Sequence, residues 1–198
     1  MPKLDDDALD LLFRKARTHN VFLADSVAPV SDDELRAIWD YARFAPTGGN
    51  TNPCRIAFVR STEAKERLRP ALAPGNVDKT MAAPATAIFA YDVEFFELMP
   101  KLFPARDMRS GFARDPAGAV EQAKFNATLQ AGYFLLAARA AGLDCGPMGG
   151  FDSAKVDAAF FEGTTWRSLL LCNLGHGDHG KLYPRNPRLD FDEACRIV

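Results

Sequence analysis

The sequence predicts a layered domain of mixed helix and strand in which helices are the majority. Two observations predict it. Three short apolar runs of strand character stand at 55–60, 86–91 and 166–174, and capped, amphipathic helical stretches separate them. On the residues alone, long helices between strands give a fold of the α/β type. The 198 residues suit one domain spanning 1–198, able to bury about 70% of the surface its unfolded chain exposes.

The elements follow in order. Residues 5–17 read as a first helix, with Ala8, Leu11, Leu12 and Phe13 on one face and acids at its start. Ser31-Asp32-Asp33-Glu34 is a capping box opening a second helix, whose buried side is Leu35, Ile38, Trp39 and Ala42 and whose end Pro46 marks. Arg55 to Arg60 is a buried strand. Ser61-Thr62 caps a third helix that ends near Pro70, and Pro74-Gly75-Asn76 is a turn. Thr86 to Tyr91 is a second strand. Between 94 and 114, Pro100 and Pro104 interrupt the apolar pattern, which predicts short helical pieces covering a site or an interface.

Asp115-Pro116 suits the cap and first position of a long helix, running to about Ala141 with Gly142 as its stop. Its second half is apolar nearly all round, so it belongs at the centre of the domain or in a subunit interface. Gly146 to Phe151 reads as a tight loop, Ser153 as the cap of a short helix through Phe160, and 166–174 as a third strand with Leu169-Leu170-Leu171 fully buried. A tail with Lys181, Arg185 and Arg188 among prolines ends in a short helix.

Composition excludes several function classes. A net charge of −2 with no basic block disfavours nucleic acid and anionic membrane as partners. No apolar run approaches the roughly 18 residues of a membrane helix. The N-terminus is acidic where a signal peptide is basic, and none of the four cysteines forms a CxxC pair, so a cytoplasmic protein with reduced thiols is expected. Fifteen phenylalanines suit a large aromatic core or a buried subunit interface.

Four loops carry chemistry: 17–20, 46–52, 146–150 and 175–188. Two are basic and two are rich in glycine and amides, the combination a phosphorylated planar cofactor needs. The 46–52 loop has no lysine and does not match the P-loop pattern. Taken alone it is a turn between helix and strand, though its amides also suit a neutral, polar-edged ring such as a flavin pyrimidine. His176-Gly177-Asp178-His179 is read as a turn, since its histidines are not on a helix with a neighbouring acid, and no metal is expected. Gly146 to Gly150 is not a dinucleotide fingerprint, there is no GxSxG elbow, and Cys54 is a packed thiol.

In order and spacing, Arg17-Thr18-His19-Asn20, Ala45 to Pro53, Gly142-Leu143 leading to Gly146 to Phe151, and Pro187-Arg188-Leu189 resemble the nitroreductase-fold flavoproteins over essentially the whole chain. Residues 16–20, 65–72, 142–148 and 187–189 resemble in particular the branch that reduces malonic semialdehyde in Rut pyrimidine degradation. The resemblance implies an α+β sandwich: a central, mainly antiparallel sheet flanked by helices, in an intertwined homodimer with C-terminal segments wrapped over the partner. It implies FMN at the dimer interface and NADPH or NADH as hydride donor. The cofactor-binding residues it implies are Arg17, Thr18, His19 and Asn20; Pro46, Thr47, Gly48, Asn50 and Asn52; Pro147, Met148, Gly149 and Gly150 near the reactive N5 edge; and Arg188 on the phosphate.

The implied activity is FMN-dependent NAD(P)H oxidoreduction, with hydride carried by flavin N5 and no catalytic side chain. The substrate is a small aldehyde or another electrophile: malonic semialdehyde going to 3-hydroxypropionate, or alternatively a nitroaromatic, quinone or enone. A non-catalytic flavin-binding dimer is the remaining alternative. Arg109 and Arg106, in the covering segment, are the candidates to meet a substrate carboxylate. One departure stands out: the family pattern Arg-Ser-x-Arg or Lys has Asn20 at its second cation, so the charge near the reduced ring is lost there.

Overall fold

A computed structural model describes residues 2–198. A sheet of four strands lies between two helical layers. The strands are β1 (Cys54–Val59), β2 (Ala85–Asp92), β3 (Asp144–Met148) and β4 (Trp166–Gly175), in the order β1-β2-β4-β3, and every pairing is antiparallel. The architecture is therefore α+β, not the parallel α/β type that helices between strands first suggest. Antiparallel neighbours need no right-handed crossover, so intervening helices do not by themselves determine strand direction.

The helices are α1 (Asp6–Leu9), α2 (Asp32–Ala42), α3 (Thr62–Leu68), α4 (Val77–Ala82), α5 (Met99–Leu102), α6 (Arg109–Arg114), α7 (Pro116–Ala140), α8 (Ser153–Phe160) and α9 (Phe191–Ala194). β2 explains the layering. Ala85, Ala87 and Phe89 pack with α2 and α7 residues on one face, while Ile88 and Ala90 pack with Leu68 of α3 and Val156 of α8 on the other. A strand covered on both faces reads as a continuous apolar run instead of an alternating one. Phe89 opposes Leu170 and Ala90 opposes Ser168, so Leu169 is the extra residue of a bulge.

Most helix boundaries follow their caps. Ser31 and Glu34 form the reciprocal capping box of α2. Asp115 accepts from the Gly118 amide ahead of Pro116, and Gly142, at φ 85°, ends the chain's longest helix. Lys65 of α3 is buried and its ammonium donates to the Ala83 and Met81 carbonyls at the end of α4, a favourable place for a cation.

Several expectations need correction. The first helix is only α1 plus a π turn over Asp10–Arg14, and Leu11 and Phe13 are exposed because no neighbouring element covers that face. Trp39 lies on the exposed side of α2. Leu169 and Leu170 are only partly buried. Asp152, not Ser153, caps α8. Residues 77–82, which follow the turn at Pro74-Gly75-Asn76 and carry no helix signal of their own, form α4. The first half of the expected tight loop at 146–151, Gly146 to Met148, belongs to β3, and the glycines after it stay outside the strand; Pro147 is tolerated because β3 is an edge strand.

Among the described residues no helix is long and apolar enough to cross a membrane. Cys54, Cys145 and Cys172 are buried free thiols, and burial pushes Cys54 up to about 12. A thiol reagent at pH 7 is expected to leave these three unmodified in the native protein and to modify them in denaturant, counted by mass spectrometry.

Candidate functional site

The site begins where residues 17–22 lie against the outer edge of β3. Thr18 bridges Cys145 in parallel, and the His19 amide donates to the Cys145 carbonyl at 3.0 Å. Further along, Phe22 bridges Gly177, and the Asp178 amide donates to the Val21 carbonyl. Gly146 permits this approach, since a Cβ there would stand 2.5 Å from the His19 carbonyl oxygen.

This seating gathers cations that are far apart in sequence. Arg17, Thr18, Asn20, Arg139, Arg185 and Arg188 line one cleft of about 410 Å³, which has no carboxylate in its wall. Backbone carbonyls position the guanidiniums. Arg17 donates to Tyr183 at 2.5 Å, Arg185 to Arg14 and Ala16 at 2.9 Å, and Arg188 to Asn186 at 2.9 Å. Neutral acceptors orient these side chains without cancelling their charge, so the cleft suits a phosphate dianion. Arg17 and Arg188 were legible in the sequence; Arg139, inside α7, was not.

A further residue missed by sequence reasoning is Lys79 of α4. Its ammonium donates to Asn20 Oδ1 at 3.3 Å. A cation therefore does stand beside Asn20, supplied from another element, and the Asn20 amide NH2 remains free to donate. The Asn76 amide donates to the Gly150 carbonyl at 2.7 Å, and Thr80 to Met148 Sδ at 3.6 Å, tying α4 to the end of β3. Only the Asn76-to-Lys79 spacing of one helical turn could have hinted at this in the sequence. His19 points elsewhere: its side chain is 1% exposed and packs against Asp144 and His179, outside the cleft lining.

The 46–52 loop is held by α7. The Gly48 amide donates to Asn126 Oδ1 at 2.7 Å, Gln130 accepts from the Cys54 amide at 2.9 Å, and it donates to Asn52 at 3.3 Å. Asn126 and Gln130 are buried polar residues on a helix face otherwise made of alanines and Phe134, and these bonds satisfy them. Positive φ occurs at Gly49, Asn50 and Asn52, not at Gly48. The Asn50 amide reaches the Leu102 carbonyl, and Met108 lies over Gly49, so the loop adjoins the covering segment. There Arg109 is engaged by Glu97 through two bonds of 2.7 and 2.8 Å. Arg106 lines two clefts among residues 100–122 and makes no side-chain hydrogen bond among the described residues.

The structure thus makes two groups. Arg17, Asn20, Lys79, Met148 to Gly150 and Arg188 lie around β3, whereas Pro46 to Asn52 and Arg106 lie beyond the start of β1, at the opposite edge of the sheet. Among the described residues, no hydrogen bond joins them.

The Nitroreductase family profile matches residues 25–176. The chain belongs to the nitroreductase family. It is 55% identical over 195 residues, 98% of each chain, to a Rhodopseudomonas palustris TIE-1 protein named as a candidate NADH dehydrogenase/NAD(P)H nitroreductase. A Ralstonia nicotianae GMI1000 protein with the same description is 51% identical over the full length of both chains. Among solved structures, a candidate nitroreductase from Exiguobacterium sibiricum 255-15, in complex with FMN, superposes with a TM-score of 0.84 at 18% identity, covering all of both chains. The fold is the nitroreductase fold.

Gly146→Ala is expected to lower stability by about 1–3 kcal/mol in urea unfolding, because the added Cβ overpacks against the His19 backbone. Gln130→Leu leaves the buried Cys54 amide unpaired and is expected to cost about 1–3 kcal/mol by the same measurement.

Proposed function

We propose that this nitroreductase-family chain is an FMN-dependent NAD(P)H oxidoreductase, acting as a homodimer, that reduces malonic semialdehyde to 3-hydroxypropionate. The observation that carries the cofactor is the acid-free arginine cleft, opening beside the Lys79–Asn20 pair. FMN joins a phosphate to a ring with a polar edge. Arg17, Thr18, Arg185 and Arg188 suit the phosphate, while Asn20, Lys79 and the backbone of 147–150 suit the ring. The FMN-bound fold neighbour and the NAD(P)H in the relatives' names support the same reading. Bound FMN supplies hydride transfer between NAD(P)H and an electrophilic centre. The chain's residues bind and orient the reactants, and Lys79 supplies the positive charge that Asn20 lacks.

Apolar surface supports the homodimer. Phe125, Leu129 and Tyr133 recur every four residues along α7 and are exposed. A cleft of about 610 Å³, with Leu35, Trp39 and Phe58 among the charged Asp32, Arg36, Asp40 and Arg60, flanks the open edge of β1. Phe191, Ile197 and Val198 of the C-terminal arm are exposed too. Surfaces of this kind mark association sites. In a two-fold dimer, the 46–52 loop and Arg106 of one protomer complete the arginine cleft of the other.

Likeness at 16–20, 65–72, 142–148 and 187–189 to the malonic semialdehyde branch supports the acceptor, and Arg106 is the cation available for its carboxylate. The relatives' names favour a second reading, with a nitroaromatic as acceptor.

The purified protein is expected to be yellow, to bleach with NAD(P)H without oxygen, and to regain colour when malonic semialdehyde is added. Faster recovery with a nitrofuran selects the second reading. A colourless protein that takes up no FMN overturns both. Arg188→Gln is expected to weaken FMN binding about tenfold or more by fluorescence titration. Arg106→Ala is expected to raise KM for the semialdehyde about tenfold with little change in kcat, since it removes binding that is uniform along the reaction. Arg109→Ala, whose guanidinium Glu97 occupies, changes KM less.

A further inference from the structure

Behind the arginine cleft, His19, Asp144 and His179 converge from three segments: the 17–22 stretch, the first residue of β3 and the turn after β4. His19 is buried, and neither Nδ1 nor Nε2 has a hydrogen-bond partner. Native proteins rarely leave a buried polar group unpaired, and here both nitrogens of one ring are so. Nε2 lies 3.3 Å from Asp144 Oδ1 without the alignment of a hydrogen bond, and Asp144 Oδ2 lies 3.8 Å from His179 Nε2. The two imidazoles meet edge to face, with centroids 4.9 Å apart. One ligand atom from each of the three residues lies within 4.8 Å of the others.

We propose that His19, Asp144 and His179 form a binding site for one divalent transition-metal ion of the zinc class. With metal–ligand bonds of about 2.0–2.2 Å, two ligands of a tetrahedron stand about 3.4 Å apart, and His19 and His179 lie 3.3 and 3.8 Å from the two Asp144 carboxylate oxygens. Two imidazoles and one carboxylate suit zinc and its neighbours, whereas calcium and magnesium take oxygen ligands. The supporting contacts are present as well. The Gly177 amide donates to Asp144 Oδ2 at 2.9 Å and orients the carboxylate. Gly177 also makes room for the imidazole, since a Cβ there would fall 1.9 Å from His19 Nδ1. The His179 side chain is 74% exposed, which opens a route for the ion and leaves a fourth position to water. Such an ion pins the 17–22 stretch, and hence Arg17, Thr18 and Asn20, to β3 and to the turn after β4. The site uses none of the residues assigned to cleft side chains, so it stands apart from the flavin reading.

The test is titration of tag-free, EDTA-treated and dialysed full-length protein with Zn²⁺ by calorimetry and with Co²⁺ by visible absorption. One ion per chain is expected, with the d–d bands of a four-coordinate cobalt site and a higher Tm with Zn²⁺. His179→Ala removes an exposed ligand without disturbing the core. It is expected to weaken binding by at least the roughly 10–100-fold that follows loss of a supporting partner, with loss of the cobalt bands. Asp144→Asn should act in the same direction, and His176→Ala, in the same turn, should leave affinity unchanged. Absence of stoichiometric binding at micromolar Zn²⁺, or equal affinity in wild type and His179→Ala, overturns the proposal.

Discussion

Backbone contact between the 17–22 stretch and the outer edge of β3 is the constraint on which the site depends. An edge strand offers unpaired amides and carbonyls, and the His19 amide takes up the Cys145 carbonyl, while Val21 and Phe22 pair with the turn after β4. The contact needs Gly146 to have no side chain. Once the stretch is seated, alternation sends Thr18 and Asn20 to one side and His19 to the other, and Arg17 reaches the cleft from the start of the stretch. Arg17, Thr18 and Asn20 line the cleft that Arg185 and Arg188 reach from the tail, and His19 packs behind it against Asp144 and His179.

The second support is α7. It is apolar enough to be the centre of the domain, yet it buries Asn126 and Gln130. Those amides are spent on the backbone of the 46–52 loop and the first amide of β1, where three left-handed residues need outside partners to hold their shape. The same helix turns Phe125, Leu129 and Tyr133 outward. One helix thus fixes the amide-rich loop, closes the core and presents an apolar surface. In the proposed homodimer that surface has a use, because a second protomer would bring to the arginine cleft the loop that one sheet holds apart from it.

Charge in the cleft is organised by neutral partners. Arg17, Arg185 and Arg188 rest on backbone carbonyls, so their positive field stays available. Arg109 is the contrast: two bonds to Glu97 satisfy its fork, while Arg106 three residues earlier has no such partner. The loss of a cation at Asn20 is likewise local to the sequence, since Lys79 restores the charge in space.

The sequence by itself determined the local units. Capping residues at Ser31, Ser61 and Asp115, the glycine stop at Gly142 and the apolar runs of β1, β2 and β4 act over a few residues, and each element formed where they put it. The family was legible too, because its glycine-, amide- and arginine-bearing loops keep their order along the chain. Tertiary structure decided whatever depends on neighbours. Pro147 could join a strand only because β3 lies at an edge, Trp39 stayed exposed because nothing in the chain covers it, and strand direction came from pairing, not from helix placement. Lys79 beside Asn20, Arg139 in the arginine cleft, and the meeting of His19 with Asp144 and His179 have no local signature. They are contacts between residues far apart in the chain, made only when the sheet brings its edges and turns together.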